Sequence, residues 1–275
     1  MLKIVVCIKQ VPMVTELPWD EKTGTLRRDL ASGMMNPACK HAVEAALKIK
    51  EAHGAAITVL TMGPPAAEEV LREALAMGAD RAALICDRML AGSDTYATSF
   101  VLAEAIKKEV PAYDLILCGA YTSDSETAQV GPQLAEELHI PAAAYAEQVT
   151  LSGRTLRVRR LVDNFRETLE MEFPALVTVS MEQYEPRYAS FAGLTRAFGE
   201  SDIAVLNAPA LGITAADLAA HGSRTRVRKV FIRKTQKENV RITGAAANAA
   251  GEFLDRYQRT IGAVIGKSIE AKKQV

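Results

Sequence analysis

Apolar runs and helical stripes alternate along residues 1–145. The short apolar, β-branched runs lie at residues 2–8, 56–62, 82–86 and 115–118. They do not alternate with polar residues, which is typical of strands covered by helices on both faces. Between them apolar residues recur at helical spacing, for example at Val70 and Ala74. The alternation predicts an α/β fold with a doubly wound, mainly parallel sheet of the adenine-nucleotide-binding type.

The pattern changes near residue 145. A hairpin that turns at Ser152–Gly153 is predicted first. Apolar and polar residues then alternate over residues 168–173, which indicates a half-buried strand. Ala175–Ser180 is apolar again and is predicted to return to the sheet. We therefore expect a β-hairpin excursion over residues 145–180, inside a nucleotide-binding domain of residues 1–188.

The last third of the chain has a different composition. Residues 189–230 are rich in Ala, Gly and short polar residues with weak periodicity, so they are not expected to pack alone. Residues 245–272 regain helical spacing, with Phe253 and Tyr257 four residues apart. Residues 189–275 are thus predicted to form a partner-docking loop, an extended arm and a C-terminal helix. The helix could pack on a partner subunit or on the chain's own domain, and the pattern does not choose between them.

Composition narrows the possible environments and partners. The chain has 33 basic and 33 acidic residues, so its charge gives no case for nucleic acid or a membrane surface. No apolar run approaches the roughly 18 residues of a membrane span, and the first residues are typical of a strand, not of a signal peptide. The four cysteines are scattered, with no CxxC pair, which fits a reducing cytoplasm and neither a zinc nor an iron–sulfur site. A cytoplasmic protein that is not embedded in a membrane is expected.

The polar loop Gly119–Gly131 follows an apolar strand and precedes a helical pattern. Open α/β sheets bind anionic ligands at such a position, where the helix start offers free N–H groups. Phosphate contacts would come from backbone N–H groups and from the Ser125 or Thr127 hydroxyl, while Asp124 would face ribose hydroxyls or cap the helix. Asp124, Ser125, Glu126 and Thr127 are all competent N-cap residues, so capping and ligand binding both stay open.

Three other segments are expected at the same edge of the sheet: 7–9, 34–39 and 61–64. Together the four segments would form a crevice, the usual ligand position in such sheets. No GxGxxG follows the first strand, and the chain has no GxxxxGK[ST], HExxH or GxSxG motif. The four histidines are far apart, and each is read as a surface or helix-end residue. The residues therefore indicate a protein that holds a cofactor which carries the chemistry.

Nearly the whole chain resembles the beta subunit of electron-transfer flavoproteins. The resemblance rests on Val5–Pro12, Met35–Pro37, Met62–Pro64, Ala74–Asp80, Val158–Asp163, Glu167–Leu169, Phe173–Thr178 and Glu185–Tyr188. It implies a heterodimer with an alpha subunit, whose mobile C-terminal domain carries FAD. It also implies an adenine nucleotide in the crevice of this subunit. The implied binding positions are Cys7, Asn36, Pro37, Ala38, Cys39, Met62, Gly119, Ala120, Tyr121, Thr122, Ser123, Asp124, Ser125, Glu126, Thr127, Ala128, Gln129 and Val130.

The nucleotide differs between branches of the family. Respiratory members hold AMP, and electron-bifurcating members hold a second FAD that takes hydride from NADH. Thr127–Pro132, Leu90–Thr98 and the long C-terminal tail resemble the bifurcating branch. Ala120–Asp124 departs from both branches, which usually carry a basic residue followed by Gln-Ala-Ile-Asp, and so lacks a contact to an anionic or flavin group. FAD is expected in this subunit, AMP is the alternative, and the use of NADH stays open.

The resemblance also implies a docking site for a flavin-containing dehydrogenase. In the family, an apolar side chain after Glu185–Tyr188 inserts into a pocket of the dehydrogenase. Phe191 is the candidate here, together with Leu194, and the alternative is a core Phe under a loop. Two other functions are compatible with an α/β crevice: a nucleotide-binding sensor of the universal-stress type, and an ATP-dependent transferase of related fold. The transferase would need a glycine-rich loop after the first strand, and Lys9–Pro12 is not one.

Overall fold

The fold is taken from a computed structural model of the chain. It describes residues 1–13, 19–20, 25–26, 32–163, 165–226, 228 and 240–272, with the backbone alone at 19–20, 25–26 and 264–272. The chain forms two compact units, Met1–Val230 and Phe231–Val275. The boundary predicted after residue 188 thus falls inside the first unit.

The strands are β1 (Leu2–Cys7), β2 (Gln10–Pro12), β3 (Trp19–Asp20), β4 (Thr25–Leu26), β5 (Gly33–Met35), β6 (Ala55–Met62), β7 (Arg81–Ile85), β8 (Leu115–Gly119), β9 (Ala142–Ser152), β10 (Thr155–Val162), β11 (Phe165–Glu172), β12 (Ala175–Val179) and β13 (Ala204–Leu206). The helices are α1 (Pro37–His53), α2 (Glu68–Met77), α3 (Thr95–Glu109), α4 (Val130–Glu137), α5 (Phe191–Gly199), α6 (Ala215–Ala220) and α7 (Ala246–Lys272).

One large sheet organises the first unit. Its strands lie in the order β11-β10-β9-β12-β8-β1-β6-β7-β13. Neighbours from β9 to β13 are parallel, and β10 and β11 extend the sheet as antiparallel strands. The chain leaves β1 towards β6 and β7 and then returns to β8 on the other side, so the strand order reverses between β1 and β8. The predicted doubly wound, mainly parallel sheet with a hairpin excursion is confirmed.

Each face of the sheet carries its own apolar cluster. On one face, strand residues such as Ile57 and Val59 pack with residues of α1 and α2. On the other face, Leu60 and Ile116 pack with residues of α3 and α4. Burial on both faces explains why these strands are apolar without alternation. It also fixes the carboxyl ends of β1, β6 and β8 side by side at one edge.

Residues 189–226 are better packed than their sequence suggests. α5 lies against α2, and β13 joins the sheet beside β7. Ala197 is fully buried, and the buried side chains of Leu206, Leu211 and Ile213 join the second cluster. The stretch thus packs on the sheet and α2 instead of forming a core of its own, and its small contact residues leave little periodicity in the sequence.

The second unit contains the predicted C-terminal helix, which is confirmed as the 27-residue helix α7. The Phe253 and Tyr257 rings lie one turn apart, with centroids separated by 5.2 Å. The predicted arm falls largely on residues 227 and 229–239, which lie outside the described residues. Within the described part of the chain, no helix has both the length and the apolar character needed to cross a bilayer.

Candidate functional site

The predicted crevice corresponds to the place where the strand order reverses, at the carboxyl ends of β1 and β8. Cys7 and Cys118 are paired across these two strands. Met62 ends β6, the neighbour of β1 on its other side. Ligands of open α/β sheets bind at this reversal point, since the loops that follow the two strands diverge there. The topology thus places Cys7, Met62 and the loop after β8 along one edge.

The loop after β8 is tied to two other elements. Asn36, which precedes α1, donates from Nδ2 to the Tyr121 carbonyl oxygen at 2.8 Å and accepts from the Ser123 N–H at 3.0 Å. The Ala120 N–H donates to the Val179 carbonyl oxygen of β12 at 2.9 Å. These three bonds hold the first half of the loop against α1 on one side and β12 on the other.

An ion pair joins the segment after β1 to the loop after β8. Lys9, just after β1, places its Nζ 2.8 Å from both carboxylate oxygens of Asp124 in the loop after β8. The Asp124 side chain is only 7% exposed, whereas Lys9 is 41% exposed. A charge-assisted bond to a largely buried carboxylate is stronger than a surface ion pair. Lys9 belongs to the segment 7–9 that the sequence placed at this edge, but it was not among the implied binding positions.

The second half of the loop is folded on itself. The Glu126 N–H donates to the Thr122 carbonyl oxygen, and the Thr122 and Ser125 hydroxyls lie 2.9 Å apart. Glu126 and Ala128 have positive φ angles of 51° and 56°. Non-glycine residues rarely adopt this conformation. Two of them within three positions therefore indicate that surrounding contacts impose it. Left-handed residues next to right-handed ones turn successive N–H groups to one side, as in anion-binding nests.

Helix α4 begins later than the polar run suggests. Its N-cap is Gln129, and its first residue is Val130. None of the four competent caps, Asp124, Ser125, Glu126 and Thr127, occupies the N-cap position, so the capping alternative is wrong for them. Ser125, Glu126 and Thr127 are instead exposed on the loop. The first helical N–H groups have no intrahelical partner, which leaves a donor set that suits an anion.

Small residues and thiols pack closely between the start of α1 and the carboxyl end of β8. Ala38, Cys39 and Ala120 are each at most 3% exposed. A Cβ on Gly119 would lie 2.7 Å from the Cys39 nitrogen, so only glycine allows β8 to approach α1 here. Burial raises the pKa of Cys39, and a hydrogen bond with Cys7 together with burial raises the pKa of Cys118. The thiols are therefore neutral packing groups at neutral pH.

A second helix start adjoins the loop. The Thr95 hydroxyl, at the first residue of α3, donates to Gln129 Oε1 at 2.9 Å. Asp94 caps α3 by accepting from the Ala97 N–H, and it also accepts from the backbone N–H groups of Arg224 and Thr225. The segment around residue 95 thus forms a wall beside the end of the loop.

The predicted docking residues lie on a helix rather than a loop. Phe191 is the first residue of α5 and is 92% exposed, so it is not a core residue. Leu194 is 38% exposed on the same face of the helix. The opposite face carries Gly193 and Ala197, both buried. A Cβ on Gly193 would lie 2.2 Å from the Ala76 carbonyl oxygen, which shows how closely α5 rests on α2.

A buried ion pair holds the segment that leads to α5. Arg187 donates from Nε and from its other guanidinium nitrogens to the carboxylates of Glu44 and Glu51 on α1. The Glu44 side chain is 2% exposed. Arg187 belongs to the family motif Glu185–Tyr188, and the sequence does not reveal its partners because they lie more than 130 positions away.

Metal-ligating side chains and histidines were the remaining candidates for chemistry. Within the described residues, no group of three or more His, Cys, Asp or Glu side chains is placed to hold a metal ion. His221 packs against the Phe100 ring, with centroids 4.2 Å apart, and His53 ends α1. Both positions agree with a structural reading of these histidines.

Comparison with known proteins identifies the family. The electron transfer flavoprotein domain family matches residues 23–211. The electron transfer flavoprotein subunit beta of Thermoanaerobacterium thermosaccharolyticum is 40% identical over 93% of this chain and 97% of its own length. The caffeyl-CoA reductase-Etf complex subunit CarD of Acetobacterium woodii is 39% identical over 94% and 98%. The protein FixA of Azorhizobium caulinodans is 36% identical over 92% of each. These relatives do not favour a universal-stress-type sensor, and the chain belongs to the electron transfer flavoprotein family as a beta subunit with a role in electron transfer.

Proposed function

We propose that this subunit holds an adenine nucleotide in the crevice between β1 and β8 and works as a heterodimer with an alpha subunit. The loop Gly119–Gly131 carries the proposal. It lies where the strand order of the sheet reverses. A hydrogen bond from Asn36 and the ion pair between Lys9 and Asp124 hold it in place, and its polar residues are exposed. A loop shaped before the ligand arrives loses less conformational freedom on binding, which favours tight retention.

The donor set fits a phosphate-bearing ligand. Backbone N–H groups at the start of α4 and around the left-handed residues Glu126 and Ala128 would bind phosphate oxygens. The hydroxyls of Ser125 and Thr127 would add contacts. Lys9 supplies positive charge, and its pairing with Asp124 keeps that carboxylate from repelling the ligand. This arrangement would replace the basic residue that the family resemblance implies at position 120, where the Ala120 side chain is buried.

We favour FAD over AMP in the crevice. The two segments that resemble the FAD-holding branch, residues 90–98 and 127–132, are joined by the hydrogen bond from Thr95 to Gln129. The wall around Thr95 therefore continues the nucleotide loop, which suits a ligand longer than AMP. A bound flavin would supply the electron-accepting ring, and the residues of this chain would bind and orient it.

The outward face of α5 is the proposed contact for a flavin-containing dehydrogenase. Phe191 offers a large apolar side chain at the start of a helix that is fixed on α2, and Leu194 lies beside it. Rigid, exposed aromatic residues often carry most of the binding energy of an interface. Electrons would pass between the dehydrogenase and the flavin on the alpha subunit, with this subunit as scaffold and docking surface.

Counting bound nucleotides tests the proposal. The heterodimer would be purified with its native ligands, denatured, and the released FAD and AMP measured against protein. Two FAD per heterodimer are expected, and one FAD with one AMP would support the alternative ligand in the same crevice. A single adenine nucleotide per heterodimer would contradict a nucleotide site in this subunit.

A further inference from the structure

Asn36 occupies an unusual position at the junction of α1 and the nucleotide loop. It directly precedes Pro37, the first residue of α1, and is 1% exposed. Every residue of α1 is described, and Asn36 gives none of them a side-chain capping hydrogen bond. The usual reason for an asparagine at a helix start is therefore missing, and its amide serves another purpose.

Both N–H donors and the carbonyl oxygen of this amide bind groups of the protein. Nδ2 donates to the Tyr121 carbonyl oxygen at 2.8 Å and lies 3.4 Å from Cys39 Sγ. Oδ1 accepts from the Ser123 N–H at 3.0 Å. A carboxamide has two N–H donors, and both are engaged here. The side chain consequently has no N–H left for a ligand.

The bonds to Tyr121 and Ser123 bracket Thr122, whose carbonyl oxygen closes the turn to Glu126. This turn leads directly into the left-handed residues Glu126 and Ala128. Left-handed non-glycine residues persist only where surrounding contacts impose them. Asn36 is the buried side chain that fixes the start of this turn from outside the loop.

We propose that Asn36 is a positioning residue: its carboxamide shapes the nucleotide loop and does not itself bind the nucleotide. This changes the role expected from the family resemblance, which placed Asn36 among the binding residues. The inference rests on the proposed nucleotide site for its functional readout, whereas its structural readout is independent of any ligand.

Asn36→Asp provides a variant that can be switched by pH. The carboxylate keeps the shape of the amide and still accepts from Ser123, but it cannot donate to the Tyr121 carbonyl oxygen. A protonated carboxyl regains one O–H donor and restores both bonds. Burial favours the neutral form, so protonation is expected in mildly acidic buffer. Among the described residues, the Cys39 thiol contacts this position, and Cys118 and the Lys9–Asp124 pair lie on the segments next to it; the parent protein contains all of them.

The test compares heterodimers of the parent, Asn36→Asp, Asn36→Ala and the control Asn207→Asp at about pH 8 and about pH 5. Two quantities are measured at each pH: the rate at which bound nucleotide is lost to excess added AMP or FAD, and amide hydrogen exchange of residues 119–129 relative to the parent. Exchange in α2 serves as an internal measure of folding. Asn36→Asp is expected to lose nucleotide about tenfold faster at the higher pH, with faster exchange in the loop, and to return towards the parent at the lower pH.

Asn36→Ala is expected to be impaired at both pH values. Asn207→Asp, which changes an exposed asparagine after β13 and keeps the acceptor for the Ala210 N–H, is expected to resemble the parent at both. Unchanged loop exchange and retention in Asn36→Asp at both pH values would overturn the inference. So would a defect in Asn36→Asp that acid does not relieve, because the restored hydrogen bonds would then be irrelevant. If the parent holds no nucleotide in this subunit, the proposed function fails, and the exchange data alone still decide the role of Asn36.

Discussion

Arg187 and Glu44 form a two-bond ion pair that joins the docking segment to α1. Arg187 Nε and a terminal guanidinium nitrogen each lie 2.8 Å from one of the Glu44 carboxylate oxygens. Glu44 is almost fully buried, while Arg187 is one-third exposed. The bonds to Glu44 and Glu51 raise the pKa of Arg187 above its ordinary value. The charge of Glu44 is therefore kept in the interior mainly by Arg187, 143 positions away, while the exposed Lys48 lies 3.9 Å from the same carboxylate.

Arg187→Leu is expected to destabilise the chain by about 2–4 kcal/mol, because the buried Glu44 carboxylate loses two direct bonds and keeps the more distant Lys48 ammonium, 3.9 Å away. This lies towards the lower end for buried pairs, since Arg187 is partly in contact with solvent. Urea unfolding of the heterodimer would measure the change. Glu51→Gln is the matched control: it removes the exposed partner and should have little effect. Equal midpoints for Arg187→Leu and the parent would contradict this account of the pair.

The contact between α5 and α2 depends on Gly193. An alanine there would place its Cβ 2.2 Å from the Ala76 carbonyl oxygen, which is backbone and cannot move easily. Gly193→Ala is expected to cost about 1–3 kcal/mol and to displace α5. The control lies in the same helix: among the described residues, nothing comes within 4 Å of a Cβ built on Gly199. Thermal unfolding of both variants would decide the matter, and a tolerated alanine at residue 193 would show that α5 is loosely seated.

Much of the fold could be predicted because its strands are buried on both faces. Continuous apolar runs at residues 56–62 and 115–118 identified β6 and β8 to within a residue or two. The loop at 119–131 and its place beside the first strand followed from the same pattern. By contrast, α5 and β13 were missed, since Gly193 and Ala197 bury backbone rather than large side chains and leave no apolar stripe.

The contacts that shape the candidate site could not be predicted from spacing. Asn36 meets Tyr121 across 85 positions, and Lys9 meets Asp124 across 115. Such pairs depend on which strands are neighbours in the sheet, and local sequence patterns do not encode that. The family resemblance identified Asn36 and Asp124 as site residues, but only the geometry shows that both are engaged by the protein itself.

Asp87 provides a pH-dependent link between β7 and the segment after β13. Its carboxylate accepts from the Met89 and Ala208 N–H groups at 2.9 and 3.1 Å, and these bonds lower its pKa. A depressed pKa means that the link contributes stability above the unfolded pKa of about 3.9 and loses it as pH falls through the lower folded value. The parent should therefore lose stability below about pH 4 more steeply than Asp87→Asn, as followed by urea midpoints across pH. Identical slopes would remove Asp87 from the acid response.

The ion pair across the crevice is expected to slow nucleotide release. Lys9→Met removes the cation and leaves the largely buried Asp124 carboxylate without its lysine, so the loop should shift and the carboxylate should repel phosphate. Release of bound nucleotide into excess unlabelled AMP or FAD is expected to be roughly tenfold faster. Lys3→Met, at the start of the same strand, is the matched control. The double variant Lys9→Met with Asp124→Asn should recover part of the loss, and a double variant worse than Lys9→Met would contradict the repulsion.

Phe191→Ala tests the docking surface directly. The variant removes the exposed apolar side chain at the start of α5 and leaves the buried face of that helix untouched. Electron transfer between the heterodimer and its flavin dehydrogenase should become about tenfold or more slower, because the loss of an aromatic anchor weakens such complexes by roughly 2 kcal/mol. Flavin content should not change, since Phe191 lies outside the crevice. Stopped-flow reduction of the heterodimer by the substrate-reduced dehydrogenase would measure the rate.

Phe165→Ala is the matched control, because that ring is also exposed but lies on β11. A normal rate for Phe191→Ala, or an equal loss in Phe165→Ala, would place the docking surface elsewhere.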